Sequence, residues 1–206
     1  MSEFKLDKGT VYYIEELDGG GTTFGINCLK SVLPKVRRGN ILEMCSGPGF
    51  MGFYLNFEGY ADKLLLSDLN AYNRRYIHET IEKNNLTNTE FLHSNGFTSI
   101  NENMKFDTIV SNPPHFATPK PTGYKSDQEK LITLDQDMSF HKNFLRDVKK
   151  YMHKDSIIIL IENATGINAD DITEMAKDDF EIEVGEYGKY GWPGESTFYP
   201  MFLKLK

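Results

Sequence analysis

The sequence predicts an α/β protein built on one mostly parallel, seven-stranded sheet with helices on both faces. Short apolar runs alternate with helix-like segments, and two of these runs, KLLLS (63–67) and SIIILIE (156–162), are almost wholly apolar. Such strands are typical of a sheet that is buried on both faces, as in doubly wound α/β folds. The last two predicted strands have no helix between them, so the final strand is expected to run antiparallel.

The order of the elements follows from apolar periodicity and from the residues that end each segment. Strands are expected at 41–45, 63–67, 89–93, 106–111, 156–162, 180–187 and 197–205. Helices are expected at 22–36, 50–57, 70–84 and 169–177, with a further helical region that ends near Met152. Three residues, Pro119, Pro121 and Gly123, make 116–126 a loop.

The composition is that of an ordinary globular chain, with 39% hydrophobic and 26% charged residues. No apolar stretch approaches the ~18 residues that a membrane span needs. The first ten residues lack the basic start and apolar core of a signal peptide, so we expect a cytoplasmic protein. Cys28, Cys45 and the five histidines show no disulfide framework and no metal-ligand spacing, and no metal is expected.

The formal net charge of −7 weighs against strong, sequence-independent binding to nucleic acid, because phosphate contacts need clustered Lys and Arg. The charge is uneven, however. Basic residues outnumber acidic ones over 105–154, and the reverse holds over 162–195. The basic stretch fits either a solvated helix face or a basic surface beside the site.

The segment ILEMCSGPGFMG (41–52) is the first candidate site. A strand ends near Glu43, Gly47 and Gly49 follow, and a helix starts at once. Glycines let the backbone approach a ligand closely, and a helix N-terminus offers unpaired N–H groups. Asp68 ends the next strand, where an acidic side chain can accept both hydroxyls of a ribose.

Two cofactors fit these residues. Gly47, Gly49 and Gly52 spell G-x-G-x-x-G, the fingerprint of a dinucleotide-binding oxidoreductase that uses NAD. Pro48, however, removes an N–H that a pyrophosphate would use, and Glu43 suits a cationic amino-acid group. S-adenosylmethionine carries an ammonium group and no phosphate, so it fits better. A non-catalytic binding module is the third interpretation.

The segment 43–49 (EMCSGPG) resembles the first motif of class I S-adenosylmethionine-dependent methyltransferases, acid-x-Gly-x-Gly-x-Gly, with Cys45 in place of the first glycine. The resemblance implies a Rossmann-like methyltransferase fold that binds S-adenosyl-L-methionine and releases S-adenosyl-L-homocysteine. It implies that Asp68 binds the ribose and that Leu69, Asn95 and Phe97 lie near the adenine. The cofactor-binding residues implied in this way, together with the strand end described next, are Glu43, Cys45, Ser46, Gly47, Gly49, Asp68, Leu69, Asn95, Phe97 and Asn112.

The second candidate site is Asn112-Pro113-Pro114, directly after the fourth strand. Open α/β sheets bind ligands at this edge, and prolines have no N–H, so their carbonyls can face a ligand. The Asn112 side-chain oxygen and the Pro113 carbonyl offer two acceptors to a planar –NH2 group. Accepting both hydrogens would aim the nitrogen lone pair at a methyl sulfonium, and transfer would depend on positioning and electrostatics.

The tetrapeptide Asn112-Pro113-Pro114-His115 resembles the (Asn/Asp)-Pro-Pro-aromatic motif of amino-methyltransferases. Those enzymes act on the exocyclic amines of nucleobases or on a glutamine amide in proteins such as release factors. The resemblance covers about 20–162. It implies that all four residues are catalytic and that the methyl acceptor is a protein or RNA/DNA. His115 stands where an aromatic residue stacks on the target, and it is interpreted either as such a residue or as a capping residue of the loop.

The remaining expectations concern the surroundings of the site. GGGTTFG (19–25) is expected to line the methionine end, and TPKPTGYKS (118–126) to close over substrate. Tyr190 and Trp192 are interpreted as an aromatic tip that contacts substrate or anchors a hairpin. We expect a single methyltransferase domain over 1–206, divided into an N-terminal segment and helix (1–38), a cofactor-binding core (39–162), and a C-terminal helix and strand pair (163–206).

Overall fold

The structure, a computed structural model, describes residues 1–186, 188 and 197–206, and this part of the chain forms nine strands and six α-helices. The strands are β1 (Ser2–Leu6), β2 (Gly9–Tyr13), β3 (Gly39–Met44), β4 (Ala61–Asp68), β5 (Thr89–His93), β6 (Phe106–Ser111), β7 (Met152–Asn163), β8 (Phe180–Val184) and β9 (Phe198–Leu205). The helices are α1 (Ile26–Ser31), α2 (Phe50–Phe57), α3 (Asn73–Lys83), α4 (Asp127–Thr133), α5 (Ser139–Asp147) and α6 (Ala169–Ala176).

Seven strands form the main sheet, in the spatial order β5-β4-β3-β6-β7-β9-β8. β5, β4, β3, β6 and β7 pair in parallel, whereas β9 is antiparallel to both β7 and β8. The predicted mostly parallel sheet with an antiparallel last strand is therefore confirmed. The chain moves outward from β3 to β5 and then returns to place β6 beside β3. Such a change of direction leaves a crevice at the carboxyl ends of the two neighbouring strands.

The core lies on both faces of this sheet, because successive side chains of a strand point to opposite faces. In β7, Ile158 and Leu160 belong to one apolar layer, and Ile157, Ile159 and Ile161 belong to the other. All five are at most 1% exposed. The continuous apolar run at 156–162 thus marks a strand with no solvent-facing side, as predicted.

The prediction of one helix over 22–36 was wrong. Residues Gly21–Gly25 form a single π-helical turn, α1 covers only Ile26–Ser31, and a 3-10 turn follows at Leu33–Lys35. Pro34 accounts for the end of α1, because it has no N–H that could donate to the Lys30 carbonyl and continue the α-helix. The short α1 packs on α2, and the π turn leads the chain past the crevice.

The hairpin β1–β2 was not predicted, although the alternation in FKLDKGTVYY is the usual signal for one. It packs on α3, and side chains of Thr80 and Asn84 form hydrogen bonds with the backbone of β2. The Asn84 side chain accepts from the Thr10 N–H at 3.0 Å and donates to the Thr10 carbonyl at 2.8 Å. The Tyr12 N–H donates to Thr80 Oγ1 at 2.9 Å. These bonds occupy backbone groups that an edge strand would otherwise leave unpaired.

Other boundaries agree to different degrees. β7 begins at Met152 rather than at 156, and α3 begins at Asn73 rather than at 70. β5, β6 and α2 begin and end where predicted, and 117–126 contains no helix or strand. The predicted strand at 180–187 ends earlier, at Val184. Tyr190 and Trp192 lie outside the described residues. In the described part of the chain, no helix is long and apolar enough to cross a membrane.

Truncation in the centre of β7 tests this arrangement. Ile159 is fully buried and pairs with Val110 and Phe202. Ile159→Ala should lower the free energy of unfolding by about 2–5 kcal/mol, because the cavity is added to the lost apolar burial. Lys154→Ala, at an exposed position of the same strand, should change it by less than about 0.5 kcal/mol. Urea titrations measure both, and equal small losses would contradict the central position of β7.

Candidate active site

A cavity of about 450 Å³ lies at the carboxyl ends of β3, β4, β5 and β6, where the crevice opens. It brings together twelve of the predicted site residues, namely Glu43, Cys45, Ser46, Gly47, Asp68, Leu69, Asn95, Phe97, Asn112, Pro113, Pro114 and His115. Gly49 is not part of its lining. Gly49 precedes α2 with a left-handed backbone, and its N–H donates to the Ser46 carbonyl at 2.8 Å. The two motifs therefore face one cavity although they lie far apart in the sequence.

The loop between β3 and α2 turns through alternate left-handed residues. Cys45, Gly47 and Gly49 have φ values of 54°, 52° and 88°. Left-handed backbone suits glycine and costs an ordinary L-residue roughly 1–2 kcal/mol. The three glycine positions of the motif are thus the three positions where this loop needs positive φ. Cys45, which replaces the first of them, carries the backbone strain.

Asp68 joins the end of β4 to this loop. Its Oδ2 accepts from the Gly47 N–H at 2.7 Å, and its Oδ1 accepts from the Asn70 N–H at 2.7 Å. Burial raises the pKa of this carboxyl above its ordinary value, although both backbone donors lower it. Each carboxylate oxygen has a second lone pair, so Asp68 can still accept from two hydroxyl groups.

Glu43 of β3 lies deeper in the cavity than Asp68 and faces the first turn of α2. It is 2% exposed, and its Oε2 accepts from the Gly52 N–H at 2.7 Å. Burial raises its pKa to about 8, so Glu43 is a neutral carboxyl at neutral pH. A Cβ on Gly52 would lie 2.7 Å from Oε2 and 2.6 Å from a methyl group of Leu66. The third glycine of the apparent dinucleotide fingerprint is therefore explained by the close approach of α2 to β3 and β4.

The predicted adenine end is formed by residues with different surroundings. Leu69 is 50% exposed at the mouth of the cavity. Phe97 is buried, and its ring stacks on Tyr151 with centroids 4.5 Å apart and lies 5.6 Å from Phe144. Its contribution to the cavity is thus limited by its role in the core. The assignment of Leu69, Asn95 and Phe97 to an adenine stays a prediction.

Residues that the sequence did not indicate complete the wall. α4 and α5 contribute Leu131, Ile132, Ser139, Phe140, Asn143 and Arg146. The Asn70 side chain donates to Gln128 of α4, which ties that helix to the loop after β4. Leu17 and Asp18 also line the cavity, as do Gly19 and Gly21 of the GGGTTFG segment. That this segment lines the methionine end stays a prediction. No local pattern marks the α4 and α5 residues, because only the tertiary fold brings them here.

Asn112 and His115 contact each other at the end of β6. Asn112 Nδ2 donates to the Gly19 carbonyl at 3.4 Å, and Asn112 Oδ1 lies 3.2 Å from His115 Nε2. His115 is 8% exposed, and its Nδ1 lies 3.3 Å from Glu162 Oε2. Both ring nitrogens are therefore engaged by protein groups. That His115 stacks on a substrate stays a prediction.

Within residues 1–186, 188 and 197–206, no group of three or more His, Cys, Asp or Glu side chains is arranged to hold a metal ion.

Glu43→Gln should change how stability depends on pH. Since the folded pKa of about 8 exceeds the ordinary 4.5, the stability that Glu43 contributes is complete below pH 4.5 and is lost as the pH rises towards 8. Glutamine keeps an acceptor for Gly52 but does not titrate. The free energy of unfolding of the wild type relative to the variant should therefore decrease between pH 5 and pH 8 in urea titrations. A constant difference would show that the buried carboxyl has an ordinary pKa.

The comparisons with known proteins agree with this geometry. The family model "Methyltransferase small domain" matches residues 2–132, which include both motifs. A ribosomal RNA small subunit methyltransferase C from Actinobacillus succinogenes is 33% identical over 116 residues, which are 53% of this chain and 32% of that protein. A release factor glutamine methyltransferase from Fusobacterium nucleatum is 26% identical over 155 residues, 71% of this chain and 43% of that protein. The chain thus spans less than half the length of these two relatives.

Among solved structures, a ribosomal protein L11 methylase from Lactobacillus delbrueckii subsp. bulgaricus superposes with a TM-score of 0.65. The match covers 89% of this chain and 79% of that one at 11% sequence identity. At this identity the likeness shows the Rossmann-like methyltransferase fold alone. The family match extends over more than half of the chain and includes the glycine loop and the Asn-Pro-Pro strand end. The chain belongs to the methyltransferase small domain family.

Proposed function

We propose that this protein transfers the methyl group of S-adenosylmethionine to a planar –NH2 group held by Asn112 and Pro113. One observation carries the proposal: the Asn-Pro-Pro segment at the end of β6 lines the same cavity as Gly47 and Asp68. A site for a nucleoside and a site for a flat amine thus share one space. The match to the methyltransferase small domain family supports the same chemistry.

The residues of the cavity fit this cofactor. Its volume lies within the roughly 300–1,000 Å³ of small-molecule sites. Asp68 offers acceptors to the two ribose hydroxyls, and Glu43 would carry a negative charge beside the ammonium group, because a nearby cation lowers the pKa of a carboxyl. Leu69 supplies apolar surface at the mouth. When bound, the cofactor supplies an electrophilic methyl group on a positively charged sulfur.

Asn112 and Pro113 then orient the acceptor. The Asn112 Oδ1 and the Pro113 carbonyl accept the two hydrogens of the amine, which draws its lone pair out of conjugation. The new N–C bond forms as the C–S bond breaks, and the electron pair of that bond stays on sulfur. The nitrogen afterwards loses one proton to solvent. Fixed acceptors of this kind act by orientation and by stabilising the positive charge that develops on nitrogen.

The other interpretations fit less well. A NAD-dependent oxidoreductase would use Gly47, Gly49 and Gly52 but would leave the Asn-Pro-Pro segment without a role, and the family match does not support it. A non-catalytic binding module predicts cofactor binding without transfer. Methyl transfer to any acceptor separates the proposed function from both.

The names of two relatives suggest the chemical class of the methyl acceptor. One relative is named for small-subunit ribosomal RNA and another for the glutamine of a release factor. A glutamine side chain and the exocyclic amine of a nucleobase both offer a planar –NH2 group. We infer that the acceptor is either an exocyclic amine of RNA or DNA or a protein glutamine, and that the protein acts in the cytoplasm. The net charge of −7 favours protein, whereas the Lys and Arg residues of 105–154 favour nucleic acid.

Asp68→Ala should weaken the binding of S-adenosylmethionine about 10- to 100-fold, because hydrogen bonds to a charged group are worth about 1.5–3 kcal/mol. Asp62→Ala, an exposed position at the start of the same strand, should leave the affinity unchanged. Calorimetric titration with S-adenosylmethionine, S-adenosylhomocysteine and NAD in parallel measures this. Tighter binding of NAD would overturn the proposed function, and unchanged affinity in Asp68→Ala would remove Asp68 from the ribose site.

Asn112→Ala should reduce methyl transfer at least about 100-fold, the usual effect of removing one fixed polar group from a transition state. The affinity for S-adenosylmethionine should change far less. Transfer of a radiolabelled methyl group to ribosomal RNA, DNA and release-factor protein provides the assay. Asn103→Ala, at an exposed asparagine, is the control. Equal activity of the two variants would exclude Asn112 from the mechanism.

A further inference from the structure

Behind Asn112, four buried side chains extend in a row from the loop after β6, past the end of β7, to the start of α5. His115 Nε2 lies 3.2 Å from Asn112 Oδ1, and His115 Nδ1 lies 3.3 Å from Glu162 Oε2. Glu162 Oε1 lies 3.1 Å from His141 Nε2. His141 Nδ1 lies 2.6 Å from Asp135 Oδ2. We refer to His115, Glu162, His141 and Asp135 as the polar row.

The polar row is unusual for its burial. Glu162 is 0% exposed and His141 is 1% exposed, and neither lines the cavity, whereas His115 does. Burying a charge costs several kcal/mol unless a partner of opposite charge compensates it. Two acidic and two imidazole groups alternate here, so each charge has such a partner. Of the polar row, His115 and Asp135 line the cavity, and it is His115 that contacts Asn112.

The contacts define where the protons are. His141 lies between two carboxyl groups, so both of its ring nitrogens must donate. Burial alone would lower its pKa, but the charge of Glu162 and the hydrogen bonds to Asp135 and Glu162 raise the pKa to about 9. Burial would likewise raise the pKa of Glu162, but His141 and His115 hold it below the ordinary value. Glu162 is therefore a carboxylate, and the nitrogen of His115 that faces it carries a proton.

The same reasoning sets the orientation of the Asn112 amide. The two ends of an amide are assigned from their hydrogen-bond partners. One end of Asn112 faces the Gly19 carbonyl at 3.4 Å, which accepts and cannot donate, so that end is the NH2 group. The oxygen therefore faces His115 Nε2 at 3.2 Å, and it can accept a hydrogen bond from an N–H at that position.

We propose that Glu162 and His141 are positioning residues of the methyl transfer: acting through His115, they hold the Asn112 oxygen in the orientation that accepts a hydrogen from the acceptor amine. This inference rests on the proposed function. The bond from His115 uses one lone pair of Oδ1 and leaves the second for the amine.

Neighbouring elements fix the polar row in place. The Asp135 N–H donates to the Phe116 carbonyl at 2.9 Å, and Asp135 Oδ1 accepts from the Phe140 N–H at the start of α5. The turn after β7 crosses directly against His115, since a Cβ on Gly166 would lie 2.0 Å from the His115 carbonyl oxygen. Both ends of the polar row, Asp135 and His115, are therefore held by contacts with neighbouring backbone.

Glu162→Gln and His141→Gln test the proposal. Each removes a charge from the polar row with little change of shape. The turnover number should fall about 10- to 100-fold, as is usual when a group that orients a reacting residue is lost. The Kd for S-adenosylmethionine and the KM for the acceptor should change less than about twofold. The assay uses whichever of ribosomal RNA, DNA and release-factor protein the wild type methylates.

The matched control is His153→Gln. His153 Nε2 lies 2.8 Å from Asp107 Oδ1, near the opposite end of β6, so this variant also breaks a pair of His and carboxylate. It should leave the turnover number unchanged. Thermal unfolding of all variants separates lost stability from lost catalysis, because a purely structural role lowers the Tm without lowering turnover per folded molecule. Should Glu162→Gln fail to fold, His141→Gln gives the same measurements.

A second measurement does not depend on methyl transfer. In protein labelled with ¹⁵N-asparagine, the Asn112 side-chain signal is identified by its loss in Asn112→Ala. Glu162→Gln should shift or broaden this signal, and His153→Gln should not. An unchanged signal, or wild-type turnover in Glu162→Gln, would overturn the proposal. If the wild type methylates none of ribosomal RNA, DNA and release-factor protein but the signal depends on Glu162, the proposed function fails and the positioning of Asn112 by the polar row is supported.

Discussion

The change of strand order between β3 and β6 is the constraint on which the site depends. β3 pairs with β4 on one side and with β6 on the other, so the loops after β3 and β6 leave the sheet in different directions. The cavity lies between them, lined on one side by the loop of Gly47 and on the other by Asn112. Neither motif would face the other in a sheet whose strands followed each other in sequence order.

The two sides of the cavity are supported in different ways. On the cofactor side, hydrogen bonds link the loop after β3 to the adjacent strand β4 and link β3 to α2. Asp68 accepts from the Gly47 N–H, and Glu43 accepts from the Gly52 N–H. This side also contains the left-handed Cys45 and two carboxyl groups whose pKa burial raises. Strain and shifted pKa values of this kind gather where a ligand binds.

On the side of Asn112, the contacts that hold the wall of the cavity come from distant parts of the chain. Asn112 is backed by His115, which depends on Glu162 of β7, and Glu162 in turn contacts His141 of α5. The match to the methyltransferase small domain ends at residue 132, so Asp135, His141 and Glu162 all lie beyond it. The histidine that departs from the aromatic pattern of the tetrapeptide is thus coupled to residues outside the region that defines the family.

The seven strands of the sheet, the antiparallel last strand, the glycine loop and the Asn-Pro-Pro strand end could all be predicted from the sequence. These follow from apolar runs and from backbone needs that single residues express locally. The sequence did not reveal the break in the helix predicted over 22–36 or the β1–β2 hairpin, although Pro34 and the alternation in β1 and β2 were local signals for them. The contribution of α4 and α5 to the cavity could not be predicted, and neither could the polar row, because both depend on tertiary contacts. His115 and Glu162 are 47 residues apart, and their contact arises from strand pairing, which no local pattern of residues encodes.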